Sequence, residues 1–201
     1  LAGEAKGEGV YLPETVTEIQ VGAFTECSGL TYAEIPASVV GFGTSDDADK
    51  GKIFQKCTGL TEVKFLGDSI TEILESTFEG CSSLTKVTIP STATITKIGR
   101  NVFKNCKKLD NITLPDTVVE IGEAAFYGCA SLAHFTMSKG VTEIPKDAFS
   151  GCAKLSGIDT SCITFFGEYA FKGTAMTEAV INVDVVTRYV GSQSFRVGYT
   201  F

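Results

Sequence analysis

The 201-residue chain has little of what enzymes and nucleic-acid binders use. It contains no tryptophan and one histidine, so a Ser-His-Asp or Cys-His mechanism would depend on His134 alone. Its 17 basic and 24 acidic residues give a net charge of −7, which disfavours nucleic acid as a partner because phosphate backbones are bound by basic surfaces. No run approaches the roughly 20 apolar residues of a membrane-spanning helix. These shortages predict a chain that is not an enzyme and has no integral membrane segment.

What the chain has in abundance is a repeat. Phenylalanine recurs every 22 to 30 residues, at Phe24, Phe54, Phe78, Phe103, Phe126, Phe149, Phe171 and Phe195. Six of these residues are followed three positions later by cysteine, at Cys27, Cys57, Cys81, Cys106, Cys129 and Cys152. A leucine follows after three more, at Leu30, Leu60, Leu84, Leu109, Leu132 and Leu155. A unit of about 23 residues cannot bury a core alone, so copies must stack into a solenoid.

Each repeat has a strand-like part and a corner. The segment 84–90, Leu-Thr-Lys-Val-Thr-Ile-Pro, alternates apolar and polar residues and predicts a short half-buried strand. The Ile-Gly-x-x-x-Phe run that follows predicts a tight corner with at most a single helical turn. We therefore expect one domain over residues 1–201, with about eight repeats. Residues 1–13 are predicted to form a cap-like first strand and residues 43–52 a polar insertion loop.

The repeat L-x-x-V/I-x-I/L-P-x-x-V-x-x-I-G-x-x-A-F-x-x-C resembles the BspA-like leucine-rich repeat, over residues 10–201. The resemblance implies an α/β fold: a right-handed leucine-rich-repeat solenoid with a parallel β-sheet on its concave face. Short strands, turns and single helical turns are implied elsewhere. It also implies a cell-surface or secreted protein of a host-associated bacterium that acts in adhesion. Because the chain begins at Leu1 instead of methionine, lipid anchoring through a removed leader stays open.

The strand alternation also predicts which side chains face outward. Leucine, valine and isoleucine of each strand should point inward, so the residues between them should project from the concave sheet. This predicted ligand face consists of Tyr32, Glu34, Glu62, Lys64, Lys86, Thr88, Asn111, Thr113, His134, Thr136, Asp159 and Glu178. The row is polar, chemically mixed and without tandem aromatic residues. It fits a solvated surface and a binding surface equally well.

Cysteine and aspartate offer two further candidate sites. The six phased cysteines fit a buried packing column, whereas Cys162 lies outside the column beside a predicted turn and is the candidate reactive thiol. No C-x-x-C or C-x-x-H spacing suggests zinc. Asp46, Asp47 and Asp49 invite a calcium site, but Lys50 precedes Gly51 and the distal glutamate is missing, so a solvated loop is favoured. No metal or cofactor is predicted.

The preferred function is a non-enzymatic binding module that is extracellular or on the cell surface. It would mediate protein–protein interaction or host adhesion through the concave sheet. One alternative is a glycan- or mucin-binding module for nutrient capture. Another is a structural spacer that assembles end to end, edge to edge, through the C-terminal strand at residues 197–201, whose Val-Gly-Tyr-Thr-Phe sequence is not polar.

Overall fold

The computed structural model describes residues 9–44 and 50–176, which form short strands joined by turns. The strands are β1 (Gly9–Tyr11), β2 (Glu18–Gln20), β3 (Tyr32–Ile35), β4 (Gly41–Thr44), β5 (Glu62–Phe65), β6 (Glu72–Ile73), β7 (Lys86–Thr88), β8 (Lys97–Ile98), β9 (Asn111–Thr113), β10 (Glu120–Ile121), β11 (His134–Thr136), β12 (Glu143–Ile144) and β13 (Phe165–Phe166). The strand pairs of the described residues are parallel. The predicted solenoid is confirmed, with about seven coils.

Each of the first six coils contributes one strand to each of two sheets, and the last described coil contributes β13 to the second sheet alone. We call the first the front sheet; it consists of β1, β3, β5 and β7 in that order, followed by the pair β9 and β11. The second sheet consists of β2 and β4, then β6, β8 and β10, then β12 and β13. Most second-sheet strands begin with glutamate, and two of these glutamates share one lysine: the Lys97 ammonium lies 3.7 Å from Glu72 and 3.1 Å from Glu120.

The third side of each coil is a corner built around the repeated phenylalanine. The rings of neighbouring coils stack face to face, with centroids 5.2 to 5.7 Å apart from Phe24 to Phe171. Phe135, from the front sheet, meets Phe126 and Phe149 edge-on at 5.0 and 4.9 Å. This continuous aromatic column is the centre of the buried core.

Two positions of every corner have left-handed backbone. The first is occupied by Gly22, Lys52, Ser76, Asn101, Ala124, Asp147 and Tyr169. The second directly precedes the cysteine column and is occupied by Glu26, Lys56, Gly80, Asn105, Gly128, Gly151 and Gly173. Two left-handed residues four positions apart stop a right-handed helix from forming between them. The described residues accordingly contain no helix, and the α/β description with single helical turns is not confirmed.

Three local predictions can be compared with the structure only where it describes the residues concerned. Gly43 and Thr44, placed in the insertion loop, belong to β4, and the Gly51 N–H donates to the Gly43 carbonyl at 2.8 Å. Residues 45–49, and with them Asp46, Asp47 and Asp49, lie outside the described residues. Of the cap-like segment 1–13, only residues 9–13 are described, and β1 is formed there.

Candidate functional site

The outward side chains of the front sheet form two parallel rows. Strand register aligns Gly9, Tyr32, Glu62 and Lys86 in the first row, and Tyr11, Glu34, Lys64 and Thr88 in the second. By repeat position, Asn111 and His134 continue the first row and Thr113 and Thr136 the second. The inward residues between them, such as Ala33, Val63 and Ile112, are buried. The alternation predicted from sequence is thus present in these strands.

The N-terminal part of the front sheet is aromatic and charged. The rings of Tyr11 and Tyr32 lie 5.4 Å apart, and the Tyr32 hydroxyl donates to a Glu34 oxygen at 2.6 Å. Burial, together with this hydrogen bond, raises the pKa of Tyr32. The prediction that the face lacks tandem aromatics is therefore wrong. Tyr11 was missed because it lies in the degenerate first unit, although Val10 and Tyr11 already alternate inward and outward.

Ion pairs tie this part of the face across its strands. The Lys86 ammonium lies 2.9 Å from a Glu62 oxygen, and Lys64 lies 3.9 Å from Glu34. Each pair joins neighbouring coils within one row. The charges of these four side chains balance, so this region has mixed character without a net charge.

The C-terminal part of the front sheet is neutral and more exposed. Asn111, Thr113, His134 and Thr136 are all exposed, and the Asn111 amide donates to Asp110 at 2.8 Å. Among the described residues, no hydrogen bond or ion pair joins the His134 ring to a carboxylate or a nucleophile. The geometry therefore gives His134 no catalytic partner in the part of the chain that the structure describes.

The front sheet does not continue regularly beyond β11. Gly157 and Asp159 occupy the expected outward positions of the next coil, but residues 156–160 are not a strand. The Asp159 carboxylate instead accepts a hydrogen bond from the Ser161 backbone N–H at 2.9 Å, and hydrogen bonding from the Ser161 side chain together with this N–H lowers the pKa of Asp159. Glu178 and the strand predicted at 197–201 lie outside the described residues.

The cysteine column forms a ladder of hydrogen bonds. The thiol of Cys57 donates to the Phe24 carbonyl of the preceding coil at 2.9 Å. The same bond recurs from Cys81, Cys106, Cys129 and Cys152, at 3.0 to 3.2 Å. Burial raises the pKa of every one of these thiols, for instance to about 11 for Cys57 and about 12 for Cys152. The column is structural, since a protonated buried thiol is a poor nucleophile and a poor metal ligand.

Two cysteines are exposed. Cys162 is exposed, as expected for the thiol outside the repeat, and lies 4.0 Å from the Ser161 hydroxyl. Cys27 is also exposed, although it belongs to the phased column. It lines a pocket together with Phe24 and Leu30 at the N-terminal end of the described stack. Sequence position in the first full unit was the signal that could have separated Cys27 from the other five.

Three further findings concern metal sites, membrane-spanning helices and buried polar groups. No group of three or more histidine, cysteine, aspartate or glutamate side chains in residues 9–44 and 50–176 is arranged to hold a metal ion. Within the same residues there is no helix long and apolar enough to cross a membrane. Every buried side-chain nitrogen or oxygen in this part of the chain has a hydrogen-bond partner.

Comparison with known proteins agrees with the repeat geometry. The sequence profile of the BspA type leucine-rich repeat region matches residues 4–93 and 92–197, in six copies. A T. pallidum leucine-rich repeat protein of known structure is 31% identical, with a TM-score of 0.72 over 84% of this chain and 77% of that one. A leucine-rich repeat protein from Bacteroides ovatus shares the fold at 24% identity and a TM-score of 0.60, over 80% of this chain and 45% of that one. Curated proteins give no significant match. The chain therefore has the leucine-rich-repeat fold and belongs to the BspA-type leucine-rich repeat family.

Proposed function

We propose that this chain is a non-enzymatic binding module that engages a protein partner through the front sheet, at the cell surface or outside the cell. The observation that carries the proposal is the pair of outward rows. They hold eleven chemically varied side chains from Tyr11 to Thr136, at the regular spacing that the repeated strands impose. Leucine-rich repeat proteins are generally protein-binding scaffolds, and repeat proteins commonly bind along their sheet face.

The composition of the rows supports a protein partner. Protein interfaces are enriched in tyrosine and combine it with polar groups and bridging water. Here Tyr11 and Tyr32 lie at one end, ion pairs follow, and neutral threonine, asparagine and histidine fill the rest. The exported location is supported by family membership, and adhesion to a host protein is the specific form of the proposal.

The test uses immobilised extracellular-matrix and plasma proteins as probes, with binding measured by biolayer interferometry. The variant Thr113→Arg/Thr136→Arg places two long cations on the exposed C-terminal part of the front sheet. The matched control is Thr71→Arg/Thr142→Arg, at two exposed threonines that directly precede second-sheet strands. We expect at least one probe to bind, with at least about tenfold weaker affinity in the front-sheet variant, or about 1.4 kcal/mol, and no change in the control. Equal loss in both variants, or no bound probe, would contradict the proposal.

The second candidate function, glycan binding, has one specific observation in its favour. The Tyr11 and Tyr32 rings form a small aromatic surface beside the Glu34 carboxylate, a combination that suits a sugar ring and its hydroxyls. On a glycan array, this function predicts binding that Tyr32→Ala abolishes and Tyr32→Phe keeps, because phenylalanine preserves the ring. Binding that survives Tyr32→Ala would exclude the tyrosine pair as the glycan site.

A further inference from the structure

A second candidate binding site lies on the corner side of the solenoid, away from the front sheet. Three consecutive coils surround a surface cavity of about 440 Å³ there, which we call the corner pocket. Its walls include Asn101 from one coil, Ala124 and Tyr127 from the next, and Asp147 from the third. The volume lies within the range of about 300–1,000 Å³ that small-molecule sites occupy.

The pocket exists because one short side chain lies between two longer ones. Asn101, Ala124 and Asp147 occupy the same left-handed corner position in successive coils, with φ of 56°, 52° and 56°. Coils stack ~4.8 Å apart, so the asparagine and aspartate are about 10 Å apart across the alanine. Only a methyl group fills the space between them, which leaves room for one small ring.

The backbone under the pocket is fixed before any ligand arrives. The Asn101 N–H donates to the Glu123 carbonyl at 3.0 Å, and the Ala124 N–H donates to the Lys146 carbonyl at 3.0 Å. Neighbouring corner bonds, such as Asn105 N–H to the Tyr127 carbonyl at 2.7 Å, continue the ladder. A preformed pocket loses little conformational entropy on binding.

Three polar side chains of the pocket lining are available to bind a ligand. Among the described residues, the side chains of Asn101, Tyr127 and Asp147 have no hydrogen-bond or ion-pair partner, and Tyr127 is 39% exposed. The cations at the rim are different because each has a carboxylate neighbour: Lys104 lies 3.5 Å from Glu79, Lys146 lies 3.4 Å from Glu168, and Arg100 lies 4.0 Å from Glu123. The groups available to a ligand are therefore an acceptor-only carboxylate, an amide that both donates and accepts, and a phenol on an exposed ring.

We propose that the corner pocket binds one saccharide residue. Sugar hydroxyls both donate and accept, so adjacent hydroxyls match the Asp147 carboxylate on one wall and the Asn101 amide on the other. The apolar face of a pyranose ring packs against an aromatic ring, which Tyr127 supplies. A purely anionic ligand fits less well, because each of the three cations in the lining already has a carboxylate within 4.0 Å. The site is separate from the front sheet, so it goes beyond the proposed protein-binding function.

Ligand-observed NMR with a defined sugar panel tests the proposal. The probes are galactose, mannose, fucose, N-acetylglucosamine, N-acetylgalactosamine and the acidic N-acetylneuraminic acid, each at up to about 10 mM, since weak sites have dissociation constants near the millimolar range. Asp147→Asn removes an acceptor-only group while keeping a residue type that tolerates left-handed backbone. Ala124→Asn keeps the same backbone and fills the space between the two walls. Asp116→Asn, at an exposed aspartate outside the pocket, is the matched control.

The expected result is saturation transfer to at least one sugar, with affinity reduced at least about tenfold in both pocket variants and unchanged in Asp116→Asn and in Tyr32→Ala. Circular dichroism of each variant establishes that the fold is retained. The proposal is overturned if no sugar of the panel binds, or if binding persists in Asp147→Asn and Ala124→Asn. Loss in Tyr32→Ala alone would instead assign the sugar to the front sheet.

Discussion

Replacing Phe103 by alanine tests the aromatic column where it is most complete. Its ring is fully buried and stacks on Phe78 at 5.4 Å and on Phe126 at 5.3 Å. Removing a buried phenylalanine side chain costs about 3–5 kcal/mol. Because two stacked neighbours each add about 0.5–1.5 kcal/mol, we expect the upper end, about 4–5 kcal/mol of unfolding free energy. Phe103→Leu keeps most of the volume and should cost about 1–3 kcal/mol, the value of the two lost stacking contacts.

The end of the column should respond less than its middle. Phe24 is half-buried and stacks on Phe54 alone among the described rings, at 5.2 Å. Phe24→Ala should therefore cost about 1–2 kcal/mol, since burying a whole phenylalanine gains about 1.5–3 kcal/mol. Guanidinium chloride unfolding followed by far-UV circular dichroism gives the three free energies and the slope of each transition.

Weakening the middle of the stack with Phe103→Ala should also lower the cooperativity of unfolding. In a solenoid each coil contacts only its neighbours, so weakening both interfaces of the Phe103 coil uncouples the two halves. The Phe103→Ala transition should accordingly broaden, with a smaller slope against denaturant, whereas Phe24→Ala should shift the midpoint at unchanged slope. Equal cost at Phe24 and Phe103, or equal cost of leucine and alanine at position 103, would refute the stacked column as the main source of stability.

Two other predictions concern the thiols and the corners. Maleimide labelling of the native protein at pH 7.5 should modify Cys27 and Cys162, which are exposed, and spare Cys57, Cys81, Cys106, Cys129 and Cys152, whose burial raises their pKa. Peptide mass spectrometry reads the sites, and labelling of the buried five before Cys162 would contradict the column assignment. Ala124→Gly should raise the unfolding free energy by about 0.5–1 kcal/mol. The substitution relieves the about 1–2 kcal/mol that left-handed backbone costs alanine, but the greater conformational entropy of glycine in the unfolded chain offsets part of this gain. Its control, Ala125→Gly at the adjacent buried position, should lose about 1 kcal/mol; a loss in both variants would show that the methyl contacts outweigh the backbone term.

The repeat period was enough to predict the solenoid, because phenylalanine, cysteine and leucine recur in three linked columns. It was also enough to predict the two faces of the strands from β3 to β11, where alternation is regular. The corner geometry could not be predicted in the same way. Lys52, Ser76 and Tyr169 share a left-handed position without sharing any side-chain property, so no residue pattern marks it.

The candidate site was predicted in its middle and not at its ends. The residues from Tyr32 to Thr136 lie where alternation placed them. Tyr11 lies on the face because β1 pairs with β3. Asp159 does not lie on a strand of this face, and its carboxylate accepts a local hydrogen bond from Ser161. The corner pocket had no sequence signal at all, since it depends on what three equivalent positions hold in three different coils.

The ladder of thiol-to-carbonyl bonds has a consequence for how such a chain can change over generations. From Cys57 to Cys152, each coil meets the next through the same contacts, a thiol bond of 2.9 to 3.2 Å and a ring stack of 5.2 to 5.7 Å. Neighbouring coils in this range are thus held together by the same set of contacts. We therefore expect duplication, deletion or reordering of whole repeats in this range to preserve these contacts while it changes the order of the outward residues. The outward surface can then change in units of about 23 residues while the buried contacts between coils stay the same.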